Sequence, residues 1–287
     1  MSAKDTFFSI KETLRAGGRL ISLADPKVMG ILNLSPDSFY AASRFHPGKP
    51  LVERAGEMLE QGATFLDLGA YSSRPGAVDI SAEEEKNRLL PALRSIVREY
   101  PDAIISVDTF RAGVAEAAIA EGAHIINDIS GGKLDPAMFA TVARLQVPYI
   151  LMHMPGTPQT MQQHADYNDV TLSVLDFFMG EISSLRQLGV HDIILDPGFG
   201  FGKTIAHNFT LLRRLATFRQ TGFPVLAGLS RKSTIWKTLH TDPEHALNGT
   251  TALNMAALMN GASVLRVHDV REAVETVKLY VAFRGRS

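Results

Sequence analysis

The sequence predicts an α/β protein with the architecture of a (β/α)8 TIM barrel, in a single domain that spans residues 1–287. Short apolar runs rich in β-branched residues alternate with segments of helical periodicity, and eight units of this kind follow one another. The alternation predicts right-handed crossovers and a parallel sheet. Eight units in ~250 residues is the number that closes a barrel, whereas an open doubly wound sheet, which is the alternative, typically has fewer.

Each apolar run is nearly continuous and ends in a polar or charged segment, which is typical of strands covered on both faces. The runs cover residues 28–34, 65–70, 104–109, 124–130, 149–154, 193–198, 225–230 and 264–269. The barrel is therefore expected over about residues 28–284, and residues 1–27 are expected to form an N-terminal extension over the floor of the barrel.

The segments of helical periodicity follow these runs in turn. They cover residues 51–62, 82–100, 112–121, 136–145, 170–188, 208–221, 245–260 and 271–283. Five of them end at or next to a glycine suited to the left-handed conformation that closes a helix, namely Gly62, Gly122, Gly189, Gly222 and Gly261.

The composition narrows the possible classes of protein. The chain has 29 Lys+Arg against 30 Asp+Glu, a formal net charge of −1, and 45% hydrophobic residues. This is an ordinary globular composition, and the balanced charge argues against a nucleic-acid partner. The absence of cysteine excludes disulfides and thiolate metal sites. No signal-peptide core and no run of ~18 apolar residues is present, so a cytoplasmic protein without a membrane partner is expected.

The ends of the predicted strands hold the candidate functional residues, because catalytic groups in such barrels lie at the carboxyl ends of the strands. Asp108, Asn127, Asp196 and Lys232 come from four different ends. A carboxylate can accept hydrogen bonds from the amine and ring N–H groups of a flat heterocycle, and an amide or ammonium can complete the set. A structural Asp–Lys ion pair is the alternative. His153, between two methionines, is interpreted as a packed histidine.

Arg266 and His268 lie two residues apart on the last predicted strand, so their side chains share one face. Arginine forms a bidentate clamp on phosphate oxygens, and phosphate sites of barrels often gather near strands seven and eight. The segment at 230–233 adds a further anion site if a helix begins near Ser233.

The glycine-rich segment at 196–204, DPGFGFGKT, does not match a nucleotide-binding loop. Pro197 replaces the first glycine of a Walker loop, and Lys203 replaces the third glycine of a dinucleotide fingerprint. We expect these glycines to let the backbone pass close to a planar ligand, with Phe199 or Phe201 covering its face.

Eight segments in register resemble the signature motifs of the dihydropteroate synthases. They are MGILNLSPDSF at 29–39, SSRPGA at 72–77, SVDT at 106–109, INDI at 126–129, LMHM at 151–154, DPGFGFGK at 196–203, SRKS at 230–233 and RVHD at 266–269. The resemblance extends from about residue 28 to about residue 283, within the length expected of one barrel.

The resemblance implies a folate-pathway transferase that joins 4-aminobenzoate to 6-hydroxymethyl-7,8-dihydropterin diphosphate. It implies that Asp108, Asn127, Asp196 and Lys232 bind the pterin, and that Lys232, Arg266 and His268 are catalytic. It assigns the diphosphate to Asn33, Ser73, Arg266 and His268, with Asn33 also contacting Mg²⁺, and the aminobenzoate to Phe39, Pro75 and Ser233. A homodimer is implied as well.

Three departures from the family pattern concern the first two loops. The residues after Phe39 are Tyr-Ala-Ala-Ser, so an aspartate usual in the family is missing, and Tyr71 and Ser73 stand where Glu and Thr are usual. Two alternatives therefore stay open. One is a methyltetrahydrofolate methyltransferase that acts with a corrinoid protein, and the other is a paralogue that binds pterin without turnover.

Overall fold

Eight parallel strands close into a barrel in the computed structural model, which describes residues 11–34, 51–73 and 78–285. A hairpin of β1 (Thr13–Ala16) and β2 (Arg19–Ser22) precedes the barrel. The barrel strands are β3 (Lys27–Asn33), β4 (Phe65–Gly69), β5 (Ile104–Asp108), β6 (Ile125–Asp128), β7 (Tyr149–Met152), β8 (Ile193–Asp196), β9 (Leu226–Ala227) and β10 (Val264–Val267). Each overlaps one of the eight predicted runs.

The barrel closes between β8 and β9, the two strands at the ends of the strand order. Around it the strands lie in the order β8, β7, β6, β5, β4, β3, β10, β9. A parallel bridge between Leu195 and Val225 joins β8 to the residue before β9, and the Leu195 N–H donates to the Pro224 carbonyl at 2.9 Å. The predicted (β/α)8 barrel is therefore confirmed.

Helices connect the strands around the outside. They are α1 (Leu51–Glu60), α2 (Ala82–Glu99), α3 (Ala112–Ala120), α4 (Met138–Leu145), α5 (Val170–Gln187), α6 (Ile205–Arg213), α7 (Ser233–Thr238), α8 (Leu247–Met259) and α9 (Val270–Phe283). Capping side chains begin several of them: Ser81 accepts from the Glu84 N–H and Asp169 from the Thr171 N–H. Within the described ranges no helix combines the length and the apolar character needed to cross a membrane.

The predicted helix at 208–221 was wrong in both its start and its continuity. Helix α6 begins three residues earlier, because Thr204 and His207 form a reciprocal capping box. The helix ends at Arg213, and a 3₁₀ segment follows over Leu215–Thr221. The conditional expectation of a helix at Ser233 is confirmed by α7, which has six residues.

The period of two along each strand stacks the inward side chains in layers. The lowest layer, which we call the floor, is apolar and packs against Leu14, Ala16 and Leu23 of the N-terminal hairpin region. Its strand residues are Met29, Phe65, Ile104, Ile125, Ile150, Ile194, Leu226 and Val264. Two residues further along, the same inward face carries polar and charged side chains on five strands, namely Asp67, Ser106, Asn127, Asp196 and Arg266. The layer directly above the floor is therefore the first one that contains polar and charged side chains.

Candidate active site

Arg266 on β10 lies between two carboxylates from β4 and β5. Its Nε donates to Asp67 Oδ2 at 2.6 Å, and its Nη2 donates to Asp108 Oδ2 at 2.7 Å. Burial alone would lower the pKa of Arg266, but the two carboxylates outweigh it and raise that pKa. Burial raises the pKa of Asp108 to about 7, although Arg266 opposes the shift. This arginine is held in the charged form beside an acid that titrates near neutrality.

Asn127 on β6 joins the same network. Its Nδ2 donates to Asp67 Oδ2 at 3.0 Å, and the residue is 3% exposed. The amide therefore has a fixed donor side, and its oxygen is left to accept a hydrogen bond elsewhere.

Asp196 and Lys232 form a second part of the site, across the barrel from Asp108. Asp196 Oδ1 accepts from the Gly198 N–H at 2.8 Å, and burial raises the pKa of Asp196 while Lys232 opposes that shift. Lys232 Nζ donates to the Phe199 carbonyl and lies 4.8 Å from the centre of the Phe201 ring. Burial lowers the pKa of Lys232 to about 8, and Asp196 opposes the shift.

Gly228 separates these two groups at the bottom of the site. A Cβ atom placed there would lie 3.6 Å from Lys232 Nζ and 4.0 Å from Asp196 Oδ2. The charge of Asp196 raises the pKa of Arg266, and the charge of Asp108 raises the pKa of Lys232. The two parts of the site are therefore close enough to interact electrostatically. Within the described ranges neither Asp108 nor Asp196 forms a salt bridge with Lys232. The ion pairs at the centre of the site join Arg266 to Asp67 and Asp108, whereas Asp196 and Lys232 influence each other's pKa without forming a salt bridge.

Four of the remaining predicted residues lie at the ends of strands or in the segments that follow them. His268 Nδ1 lies 3.0 Å from Ser230 Oγ, and the His268 N–H donates to the same oxygen at 3.2 Å. Asn33 ends β3 next to Gly69 of β4, Ser73 follows β4, and Ser233 begins α7. Phe39 and Pro75 lie outside the described residues, as does the Tyr-Ala-Ala-Ser segment at 40–43.

The glycine-rich loop after β8 approaches its neighbours as closely as the sequence suggested. Gly198 has a φ of +71°, and a Cβ there would lie 2.1 Å from the His153 carbonyl oxygen. Only glycine fits this position. Of the two aromatic candidates, Phe199 is fully buried in the core between strands and helices, so that part of the expectation was wrong. Phe201 lies beside Lys232 instead.

Lys203, which the sequence analysis treated only as a mismatch to a motif, tethers this loop. Its Nζ lies 3.0 Å from His153 Nδ1 and donates to the carbonyls of Phe201 and His153, at 3.0 and 3.3 Å. Burial lowers the pKa of Lys203 to about 7 and that of His153 to about 3. His153 is thus a neutral, packed acceptor, and its ring also contacts Phe177.

The most important residue that sequence reasoning missed is Asp67. It lies within the apolar segment Phe-Leu-Asp-Leu-Gly of β4, one inward position above Phe65 of the floor. The signal available in the sequence was the alternation of side chains along the strand, which places Asp67 on the same inward face as Phe65. A charge on the inward face of an otherwise apolar strand needs a buried partner. That signal could predict a buried acid but not which residue pairs with it.

Tyr71 replaces an acid that is usual in the resembling family, and its packing is now defined. Its ring meets Phe110 edge to face, with 4.9 Å between ring centres, and the guanidinium of Arg111 lies 5.3 Å from its centre. Gln159 Nε2 donates to its hydroxyl at 2.9 Å. The substitution therefore links the loop after β4 to the loop after β7.

The fold and these side chains define a (β/α)8 barrel with buried acids, an amide and two cations gathered toward the carboxyl ends of its strands, which is where enzymes of this fold carry their active sites. Residues 29–268 match the family described as pterin binding enzyme. The dihydropteroate synthase of Escherichia coli is 41% identical over 271 residues, which cover 94% of this chain and 95% of that protein.

Solved structures give the same result. The Xanthomonas albilineans dihydropteroate synthase with 4-aminobenzoic acid matches with a TM-score of 0.87 and 37% identity, over 96% of this chain and 99% of that one. The same enzyme in complex with 7,8-dihydropteroate matches with a TM-score of 0.83 and 34% identity, over 96% and 100%. The chain belongs to the pterin-binding enzymes and, within them, to the dihydropteroate synthases, which are transferases of folate biosynthesis.

Proposed function

We propose that this enzyme joins 4-aminobenzoate to 6-hydroxymethyl-7,8-dihydropterin diphosphate, giving 7,8-dihydropteroate and diphosphate, at the site above the floor. One observation carries the proposal: six side chains from six different strands or the loops that follow them converge above the floor, namely Asp67, Asp108, Asn127, Asp196, Lys232 and Arg266. The relatives support the substrates, since one of them was solved with 4-aminobenzoic acid and with 7,8-dihydropteroate.

The pterin ring is assigned to Asp108, Asn127, Asp196 and Lys232. Asp196 and Asp108 would accept hydrogen bonds from the amine and ring N–H groups, and the oxygen of Asn127 would accept another. Lys232 would donate to the ring carbonyl or a ring nitrogen. Donors and acceptors of this kind in a water-poor pocket are worth more than at the surface, because unpaired buried polar groups are costly.

The diphosphate is assigned to Asn33, Ser73, Arg266 and His268. Arg266 uses Nε and Nη2 on its two carboxylates, which leaves other N–H groups of the guanidinium for an anion. The aminobenzoate is assigned to Phe39, Pro75 and Ser233, of which Ser233 begins α7 next to Lys232.

The reaction breaks the bond between the pterin methylene carbon and the diphosphate oxygen, and diphosphate leaves with the electron pair. The amine nitrogen of 4-aminobenzoate forms the new bond to that carbon and loses one proton. Delocalisation into the pterin stabilises the carbon centre, and Arg266 and His268 stabilise the leaving anion. The bond changes require no covalent enzyme intermediate.

A role for Mg²⁺ is part of the proposal. Within the part of the chain that the structure describes, no group of three or more His, Asp or Glu could hold a metal ion. Asn33, whose side-chain oxygen could serve as one ligand, would hold an ion that takes its other ligands from the substrate diphosphate and water, as Mg²⁺ commonly does. When bound, Mg²⁺ supplies positive charge against the leaving diphosphate.

The pH dependence of kcat/KM follows from two pKa values. An ionised Asp108 accepts hydrogen bonds at both oxygens, whereas its protonated form turns one of them into a donor, so activity falls as the pH drops below its pKa of about 7. Lys232 must be protonated to donate, so activity falls as the pH rises above its pKa of about 8. We expect a bell-shaped profile when kcat/KM is measured from about pH 5 to about pH 10. Lys232→Arg should remove the alkaline limb, and an unchanged limb would contradict the assignment.

Gly228→Ala is expected to fold normally and to bind pterin poorly. The added methyl group meets its neighbours at ordinary contact distances, but it lies between Lys232 and Asp196 where the ring is assigned. We expect the KM for the pterin diphosphate to rise ~10-fold or more, about 1.4 kcal/mol, with little change for 4-aminobenzoate. Gly180→Ala on α5, where a Cβ meets nothing within 4 Å, is the matched control. Equal effects of the two substitutions would contradict the assignment.

The reaction itself is tested by mass spectrometry of the product formed from both substrates with Mg²⁺. Formation of 7,8-dihydropteroate supports the proposal. Methyl transfer from methyltetrahydrofolate to a corrinoid protein would support the first alternative, and pterin binding without product would support the second.

A homodimer is the proposed assembly. Helices α8 and α9 pack side by side and expose Met259, Leu279 and Phe283, with 52%, 65% and 73% of each residue accessible. Such a patch suits a second copy of the chain. Light scattering should give twice the 31.3 kDa chain mass, and Leu279→Glu with Phe283→Glu should give monomers. Leu188→Glu, at the exposed leucine that caps the carboxyl end of α5, is the control, and dissociation by that variant alone would place the interface elsewhere.

Two further expectations stay predictions. Fractionation of expressing cells tests the cytoplasmic location, and limited proteolysis tests the single domain with its barrel over about residues 28–284.

A further inference from the structure

Asp67 is a buried acid that contacts two residues of the site in the layer above the floor. It is fully buried, and its Oδ2 accepts from Arg266 Nε at 2.6 Å and from Asn127 Nδ2 at 3.0 Å. Its other oxygen, Oδ1, is buried and accepts no hydrogen bond from the described residues. All the hydrogen bonding of this carboxylate within those residues is therefore directed at two side chains.

These two side chains serve different parts of the substrate. Arg266 is assigned to the diphosphate and Asn127 to the pterin ring, and they come from β10 and β6. Asp67 lies between them on β4, above Phe65 of the floor and below Gly69 at the strand end. One carboxylate oxygen thus sets the direction of the guanidinium and of the amide together.

The geometry sets what each partner can offer. Because Asn127 uses Nδ2 on Asp67, its oxygen is the group left to face the ring. Because Arg266 uses Nε on Asp67, its rotation about the side chain is fixed and only its Nη2 reaches Asp108. Without Asp67, the guanidinium would keep only its hydrogen bond to Asp108 and would be free to rotate about it, and the amide of Asn127 would lose its hydrogen-bond acceptor.

We propose that Asp67 is a positioning residue that couples the pterin subsite to the diphosphate subsite, because one buried oxygen orients Arg266 and Asn127. This inference rests on the site assignment proposed above. It predicts that a change at Asp67, which is assigned to neither part of the substrate, weakens the binding of both.

The test uses Asp67→Asn in the full chain and measures two affinities separately by calorimetry. The probes are inorganic diphosphate with Mg²⁺ and 6-hydroxymethylpterin without diphosphate. We expect Asp67→Asn to weaken each of them at least ~10-fold, because a neutral amide oxygen accepts from the guanidinium more weakly than a carboxylate oxygen does. The NH₂ group of the asparagine would also take the buried place of Oδ1, where the described residues provide no hydrogen-bond partner. Arg266→Ala should weaken mainly diphosphate, and Asn127→Ala mainly the pterin.

The matched control is Ser106→Ala. Ser106 is the register partner of Asp67 on β5, is equally buried, and its hydroxyl has no hydrogen-bond partner among the described residues. It should change neither affinity by more than ~3-fold, within ordinary scatter for a removed hydroxyl. Asp67→Ser, with a smaller acceptor, serves if the asparagine variant does not fold.

The outcomes separate this inference from the assignment beneath it. Loss of both affinities in a folded Asp67 variant supports positioning. If the folded Asp67 variants keep both affinities while Arg266→Ala and Asn127→Ala each lose one, the positioning role is wrong and the site assignment stands. If Arg266→Ala and Asn127→Ala also keep both affinities, the site assignment is wrong. A lower melting temperature with unchanged affinities would make Asp67 purely structural and would overturn the proposal.

Discussion

Replacing Lys232 with alanine is expected to lower kcat/KM for the pterin diphosphate at least ~100-fold, as for a lost positioning group. The substitution removes a buried ammonium that donates to the Phe199 carbonyl and lies over Phe201. It also removes the charge that opposes the raised pKa of Asp196, so the pKa of that carboxyl should rise further. One change therefore affects a donor and an acceptor of the same pocket.

Initial rates with both substrates, together with a melting curve, check this prediction. Lys237→Ala is the matched control, because Lys237 is an exposed lysine of the same short helix and its ammonium lies over Trp236. The control should keep the parental rate. A Lys232→Ala enzyme within ~5-fold of the parent would remove Lys232 from the pterin site.

Asp196→Asn is expected to cost at least ~100-fold in kcat/KM, about 2.7 kcal/mol, mostly through the KM for the pterin diphosphate. The amide has the shape of the carboxylate, and its oxygen can still accept from the Gly198 N–H. It would, however, present an NH₂ group where the ring amine and N–H are assigned. Two donors facing each other in a buried site are strongly unfavourable.

The control for this second change immediately precedes the same strand. Asp192 precedes β8 at the floor end of the barrel and pairs with Lys11 at 2.7 Å. Asp192→Asn removes a carboxylate of the same type far from the rim, and it should leave both KM values unchanged. An equal loss in the two variants would mean that charge on β8, rather than recognition of the ring, decides the rate.

Much of the fold could be predicted because its signals are local. A parallel strand covered on both faces is apolar along its length, and a helix cap depends on a few neighbouring residues, as at Ser81. The strand ends could be predicted as the location of the site for the same reason, since barrel geometry assigns function to that edge.

The network around Arg266 could not be predicted from the residues alone. Its partners Asp67 and Asp108 are 199 and 158 positions away in the sequence. No local pattern states which buried acid meets which buried base. Similarly, Phe199 and Phe201 each lie between two glycines, so the sequence does not distinguish them. The turn at Gly200, with a φ of +85°, directs Phe199 to the core and Phe201 to Lys232.

A crystal structure of the enzyme with the pterin diphosphate tests the account most directly. We expect the ring above Gly228, hydrogen-bonded to Asp196 and Lys232 on one side and to Asn127 and Asp108 on the other, with the diphosphate against Arg266. A ring bound away from the barrel interior, or one that contacts neither Asp196 nor Lys232, would contradict it.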